Sequence, residues 1–379
     1  MTEAPRLLHV FPGFGPGGTQ LRMVSIINAM GARFAHRIIA LDGVLEAAKA
    51  ISGSVDATVE GLPKTTGPLA FRALVAGWRP AAVLTYNWGA LEGTLGARLA
   101  GVPVIHSECG FGTDEAQSLK RRRVWMRRLV LNNIYRTVVT SKTMLNIARR
   151  EFKLLRHKVQ LIPTGVDVEH YRPRNGPAAR EGVVFGYLGG LRPEKNLMLL
   201  IRSFSKAAVP NSKLILAGEG PCRAELTALV SELGIAGRVE FAGHQADPAA
   251  FLRRLDVFAM SSVTEQVSNA QLEAMASGLP VICTDVGDSR ELLGESAPGC
   301  VAPSNDEPAY TQALRQIGKD PNRRSMLGAA NRERTVRCYS KERMVEEYRT
   351  LIEGAIVANK RVRAAQPDEE PCTRLESGA

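Results

Sequence analysis

Two carboxylates, Glu265 and Glu273, stand with seven residues between them in the run Glu265-Gln-Val-Ser-Asn-Ala-Gln-Leu-Glu273-Ala-Met-Ala-Ser-Gly-Leu-Pro280-Val-Ile-Cys-Thr-Asp-Val-Gly287. The run Pro280-Val-Ile-Cys-Thr284 reads as a buried strand, because it is short, β-branched and bounded by Gly278-Leu-Pro280 and Asp285-Val-Gly287. Asp256–Met260 reads as the preceding strand. Glu265 is therefore expected on a loop at a strand's carboxyl end, where open α/β sheets bind ligands. Ser268 or Asn269 can cap the next helix, whose free N–H groups and positive dipole end suit a phosphate. Glu273, in the first turns of that helix, can then accept hydrogen bonds from a ribose diol, and Glu265 from a second polyol. The bare pair also suits a solvated helix with an exposed acid, so the string around it has to decide.

That string resembles the nucleotide-sugar site of retaining glycosyltransferases of the family 4 type. The family pattern is Glu, seven residues, Glu, then Ala-Met-Ala, a Gly-Leu-Pro turn and a Thr-Asp-Val-Gly strand end. The resemblance implies that Glu265 faces the donor sugar and Glu273 holds the nucleotide ribose. One segment departs from the pattern: Gln266-Val-Ser-Asn269 stands where the family often has Gly-Phe-Pro-Asn.

A second polar loop, Gly189-Gly-Leu-Arg-Pro-Glu-Lys-Asn196, follows the expected strand Val183–Leu188. Arg192 and Lys195 lie beside a helix start, where a cation opposes the dipole unless an anion is present. Arg can grip phosphate oxygens bidentately and Lys acts as a point charge. The family pattern Gly-Arg-Leu-x-Pro-Glu-Lys puts its Arg at Gly190 here, so Arg192 is expected to take over the diphosphate contact beside Lys195. Leu216-Ala-Gly-Glu-Gly-Pro221 also matches the family, so Gly218 is expected to border the nucleotide. Ala242-Gly-His244 is where the base would rest, which adds Gly243.

Gly13-Phe-Gly-Pro-Gly-Gly-Thr-Gln20 lies between a strand and a helix and can cradle an anion or a polyol. It satisfies Gly-x-Gly-x-x-Gly through Gly13, Gly15 and Gly18, and Asp42 follows the second strand. An NAD-dependent oxidoreductase is therefore an alternative reading of this loop. Pro16 inside the loop, and the richer polar site in the other half, count against it. The family resemblance covers the same loop and directs Gly17 and Gly18 at a cleft. His106 ends a strand in Val102-Pro-Val-Ile-His-Ser-Glu108-Cys-Gly110. A lone strand-end His is commonly structural. The similarity of His-Ser-Glu-Cys-Gly to an exopolysaccharide-linked His-Gly-Glu-His-Gly element implies that His106 contacts the sugar or the acceptor, with Glu108 near the acceptor.

Strand and helix signals alternate along the chain, the mark of an α/β fold. They form two series joined across the Pro-, Gly- and Arg-rich segment 172–181. The resemblance implies GT-B architecture, two Rossmann-like domains facing a central cleft. Residues 1–171 form the acceptor-side domain and 172–338 the nucleotide-sugar domain. A helix at 339–357 returns to the first domain, with Met344, Tyr348, Leu351 and Ile352 on one face, and 358–379 are expected to be a disordered tail.

The 379 residues are 45% hydrophobic and 23% charged, as expected of a soluble enzyme, and no apolar run is long enough to span a membrane. The polar N-terminus is expected to carry no signal peptide. None of the six cysteines forms a Cys-x-x-Cys pair, which suggests neither a zinc site nor a disulfide framework and fits a reducing cytoplasm. No Asp-x-Asp motif appears, so neither a metal nor a cofactor is expected, the donor substrate being a UDP- or GDP-sugar. The net charge is +11, and residues 120–158 hold 13 Lys or Arg against one acid, Glu151. Basic residues there flank Trp125, Met126, Leu129, Val130 and Ile134. This reads either as a helix lying on an anionic membrane surface or as a solvated helix packed on its own sheet. No aromatic stacking pattern or module supports nucleic-acid binding. The expected partners are a nucleotide-sugar donor and a saccharide or lipid-linked saccharide acceptor, at the inner face of the plasma membrane.

Overall fold

In a computed structural model of the chain, residues 3–63, 66–111, 115, 118–176 and 181–364 are described. Thirteen parallel strands form two sheets among them. The first sheet holds β1 (Arg6–Phe11), β2 (Ala35–Ala40), β3 (Ala57–Gly61), β4 (Ala82–Tyr86), β5 (Val104–Glu108), β6 (Arg136–Val139) and β7 (Val159–Leu161), in the order β3-β2-β1-β4-β5-β6-β7. The second holds β8 (Val184–Leu188), β9 (Lys213–Ala217), β10 (Val239–Gly243), β11 (Val257–Met260), β12 (Val281–Thr284) and β13 (Val301–Ala302), in the order β10-β9-β8-β11-β12-β13. Both orders reverse direction beside the first strand of their series, the switch point at which such sheets bind ligands.

Parallel strands covered by helices on both faces need near-continuous apolar runs. Leu7, Leu8, Val10 and Phe11 of β1 are all fully buried, as are Val257, Phe258 and Ala259 of β11. Each of these Leu, Val and Phe side chains contributes roughly 1.5–3 kcal/mol by leaving water.

By proximity the chain groups into two compact units. One comprises 1–107, 126–137 and residues from 348 onward; the other comprises 108–125 and 138–347. Sheet membership changes between β7 and β8. The last helix, Lys341–Ala364, starts in the second unit and continues in the first. Met344, Tyr348, Leu351 and Ile352 are buried on it, as the sequence pattern requires. In the first unit Asn359 Nδ2 donates to Ala81 O at 2.8 Å and Glu353 pairs with Arg33 at 2.6 Å. The helix outlasts the expected end at Val357, so residues 358–364 are helical and not part of a tail. No Gly or Pro interrupts the chain between Gly354 and Pro367, and Ala, Lys and Arg sustain a helix there. The rest of the expected tail, 365–379, lies outside the described residues.

Candidate functional site

In the second unit, β11 ends at Met260 and the chain loops through Glu265 into the helix Asn269–Ala276. Ser268 caps this helix: its Oγ accepts from Gln271 N at 3.2 Å. Asn269, the alternative cap, is instead the first helical residue. Glu273 follows one turn later.

Lys195 Nζ donates to Glu265 Oε1 at 2.5 Å, and Ser262 Oγ donates to the same oxygen at 2.9 Å. The backbone of Ser262 is held in turn by Thr284 Oγ1, which donates to Ser262 O at 2.5 Å. The structure thus brings together Lys195 and Glu265, which lie in different motifs. Arg192 stands apart, its side chain 65% exposed and its Nη1 4.0 Å from Glu194 Oε1. Lys195 ends a short 3-10 turn, Pro193–Lys195, just before the helix Leu197–Ala207.

Glu273 meets Tyr171, whose phenol is hydrogen-bonded to its carboxylate. Burial pushes the Glu273 carboxyl up to about 7, while the Tyr171 bond pulls it down. Burial and the Glu273 charge together raise the Tyr171 phenol above its ordinary range. Arg332 secures this arrangement. Its Nη1 donates to Val168 O, Tyr171 O and Ala276 O, each at 2.8 Å, tying the segment around Tyr171 to the end of the Glu273 helix. Sequence reasoning missed Tyr171, Ser262 and Arg332. Only Ser262, three residues before Glu265, carries a local signal.

Gly218 and Gly243 lie at the ends of β9 and β10. Gly218 N donates to Gly243 O at 2.7 Å, and a Cβ on Gly218 (φ 131°) would sit 1.9 Å from Gly189 O. A Cβ on Gly220 would lie 2.4 Å from Leu191 O. The loops after β8 and β9 therefore touch backbone to backbone, and Leu191 N donates to Glu219 O at 2.9 Å. Only glycine permits this approach.

In the first unit, the helix Gly18–Met30 begins at Gly18 with Gly17 as its cap, and Gln20 Nε2 folds back to Gly13 O at 2.8 Å. Asp42 packs on this loop so closely that a Cβ on Gly13 would meet its carboxylate at 2.0 Å. His106 is fully buried, and its Nδ1 is 2.8 Å from Thr85 Oγ1. Glu108, in the second unit, is 1% exposed. A separate buried trio joins His9 Nδ1 to Tyr86 Oη (2.9 Å) and His9 Nε2 to His36 Nδ1 (3.0 Å).

The basic segment forms the helix Arg121–Leu131, and its apolar residues do not share one face as expected. Val130 and Ile134 are buried, whereas Trp125 and Leu129 are 61% and 51% exposed. Arg127 is buried with its guanidinium 5.0 Å from the Trp88 ring. Among the described residues no helix is long and apolar enough to cross a membrane.

Two parallel α/β sheets with polar loops at their carboxyl ends define the GT-B class of fold. The structure superposes on the HepE protein of Anabaena in complex with UDP at TM-score 0.78 and 17% identity, covering 92% of this chain and 100% of that one. It superposes on sucrose-phosphate synthase from Thermosynechococcus elongatus at TM-score 0.73 and 21% identity, covering 93% of this chain and 100% of that one. These likenesses carry the fold. Residues 171–334 match the family described as glycosyl transferases group 1, and residues 17–165 match the glycosyl transferase 4-like domain. The chain belongs to the glycosyltransferases of the family 4 type.

Among curated relatives, the lipopolysaccharide core biosynthesis glycosyltransferase LpsE of Rhizobium meliloti is 34% identical over 146 residues, 38% of this chain and 43% of LpsE. The UDP-Gal:alpha-D-GlcNAc-diphosphoundecaprenol alpha-1,3-galactosyltransferase of Escherichia coli is 26% identical over 249 residues, 60% of this chain and 63% of the relative. The chain thus spans less than two thirds of the length of either. The oxidoreductase alternative finds no support among these relatives.

Proposed function

We infer that this chain transfers a sugar from a nucleoside-diphosphate-sugar to a saccharide acceptor carried on a lipid, with retention of anomeric configuration. The observation that carries the reading is the grouping of Glu265, Lys195 and the capped helix bearing Glu273 at the carboxyl ends of β8 and β11. Glu273 accepts from the ribose diol. Lys195, Arg192 and the first amides of the helix Asn269–Ala276 face the diphosphate, and Glu265 orients the sugar. The C–O bond between sugar and diphosphate breaks with its electron pair staying on phosphate. The acceptor oxygen bonds the sugar carbon on the same face, and its proton passes to the leaving phosphate. Positive side chains and helix amides stabilise the charge that develops on the leaving group, a preorganised effect. On this reading they take the part that a metal plays elsewhere.

The printed substrate of the Escherichia coli galactosyltransferase, a diphosphoundecaprenol-linked saccharide, and the printed UDP ligand of HepE support the acceptor and donor classes. The exposed Trp125 and Leu129, beside the exposed Arg121, Arg122 and Arg128, support docking on the anionic inner face of a membrane.

The test is thermal stability of the purified protein with UDP, GDP, ADP and NAD, beside Glu273→Ala. A ligand at about 100 times its Kd adds about 2.7 kcal/mol. Stabilisation by one nucleoside diphosphate, lost in the variant, is expected and names the donor base. Stabilisation by NAD alone, unaffected by the substitution, would overturn the reading. Sedimentation with phosphatidylglycerol vesicles tests the membrane part. Replacing Arg121, Arg122 and Arg128 with Gln should abolish it, and binding that survives would refute it.

A further inference from the structure

The switch point of the second sheet lies between β8 and β11, where the strand order turns from one direction to the other. Open α/β sheets bind ligands in the crevice at the carboxyl ends of such strands. The helix Asn269–Ala276 follows β11 at that crevice, and Glu273 on it keeps part of its surface open to solvent. Its carboxylate already has one donor, the Tyr171 phenol. That phenol is built into place. Tyr171 N donates to Asp167 O at 2.9 Å and His170 N to Asp167 Oδ1 at 3.0 Å, closing a turn over residues 167–171. The His170 ring stands edge-on to the Tyr171 ring, with 4.9 Å between centroids. Arg332 ties Tyr171 O to Ala276 O, at the end of the Glu273 helix.

Burial favours the protonated form of a carboxyl group, and a hydrogen bond to the charged form opposes it. For Glu273 that opposing bond comes from Tyr171. The difference matters for recognition. A protonated carboxyl carries a hydrogen of its own, whereas a carboxylate only accepts, with about four lone-pair sites on its two oxygens. One phenol leaves room for both hydroxyls of a vicinal diol. Tyr171 stays a donor, because Glu273, Asp247 and Asp167 all face it and oppose the loss of its proton. Asp167 is paired with Lys341 at 3.2 Å, and Asp247 lies 3.8 Å from His170 and 3.9 Å from Arg253. The Arg332 Nη1 donates to backbone carbonyls. We propose that Tyr171 is a positioning residue that acts through Glu273, holding its carboxylate in the accepting form that the ribose diol of the nucleotide requires. The inference deepens the donor-site reading above and rests on it.

Calorimetry and urea unfolding of the full chain between about pH 6 and pH 9 test it, with the nucleoside diphosphate selected by the thermal screen and its 2′,3′-dideoxy analogue. Tyr171→Phe keeps the ring and removes the donor. Its affinity for the nucleoside diphosphate should fall about fivefold at pH 7 and come within about twofold of the parent at pH 9, where the carboxyl ionises without help. The pH below which binding weakens should therefore move up. Unfolding should report the same shift with no ligand present: the loss of stability that accompanies rising pH should extend to a higher pH in the variant. In a Glu273→Gln background, Tyr171→Phe should move neither profile. Weakening by the same factor at every pH would overturn the proposal in favour of a ring that only shapes the site. Unchanged affinity and unchanged profiles would overturn it outright. A parent protein that binds the dideoxy analogue as tightly as the ribose form would instead remove the donor-site reading itself, whatever the unfolding profiles show.

Discussion

Lys195 Nζ lies 2.5 Å from Glu265 Oε1, and the two side chains are only 23% and 12% exposed. Each neutralises the other before any ligand arrives. On the proposed reading an incoming diphosphate would compete with Glu265 for the ammonium, and a sugar with Lys195 for the carboxylate.

Removing one partner should hurt more than removing both. Lys195→Met leaves Glu265 charged and served only by Ser262. It should cost about 1–3 kcal/mol of stability in urea unfolding and about a hundredfold or more in turnover. Lys195→Met with Glu265→Leu should recover most of the stability and none of the turnover. A double variant no more stable than Lys195→Met would show that the pair is not coupled.

Glu273 makes nucleotide binding and folding stability respond to pH in opposite ways. Its folded pKa, about 7, lies above its ordinary 4.5. Between those values the folded chain holds a proton that the unfolded chain has released. Stability should therefore fall as pH rises from 4.5 to 7, by up to roughly 3 kcal/mol, and level off above. On the proposed reading ribose hydroxyls donate to the carboxylate, so affinity for the nucleoside diphosphate should weaken as pH drops below 7, approaching tenfold per pH unit. Glu273→Gln should flatten both profiles and raise the melting temperature at pH 8.

The His9–His36 pair works in the opposite direction. Burial lowers the His36 pKa to about 4, although Asp56 opposes the shift, and it lowers that of His9, with the His36 charge adding to the effect. Their contribution is complete above the ordinary pKa of 6.5 and is lost as pH falls toward 4. For His36 alone this amounts to roughly 3 kcal/mol. Guanidinium unfolding at pH 7 and pH 5 should show the loss in a Glu273→Gln background, where the opposing Glu273 contribution is removed, and adding His36→Phe should reduce the difference. An unchanged difference would place the acid sensitivity elsewhere.

Gly218→Ala should cost roughly 3 kcal/mol or more, because its Cβ would meet the Gly189 carbonyl from a backbone that side chains rarely adopt. Gly237, with nothing within 4 Å of its Cβ position, is the control. Gly237→Ala should be neutral or mildly stabilising, by up to about 1 kcal/mol.

Much of this was legible in the sequence where local chemistry is strong. β9 and β12 are short apolar runs between turn residues, and both lie where such runs belong. The edge strand β3 escaped notice: Ala57-Thr-Val-Glu-Gly61 is short and only partly buried, so no apolar run marks it. The two-residue β13 is too short to show a period. In the site, Glu265, Glu273 and Lys195 stand out because they belong to contiguous motifs. The Tyr171–Glu273 bond and the Arg332 clamp join residues far apart in the chain, and only folding brings them together. The basic helix misled because periodicity cannot tell that Arg127 points inward while Trp125 points out.

The contact of the loops after β8 and β9 has a consequence for how such a protein can change. A side chain at Gly218 or Gly220 would displace the facing loop, so this strip tolerates little change. The loop from Glu265 to Ser268 has exposed neighbours, Val263 and Thr264, at its entrance. On the proposed reading, a change of donor preference would fall on the positions between Glu265 and Ser268, beside a rigid backbone ledge that keeps the hold on the nucleotide.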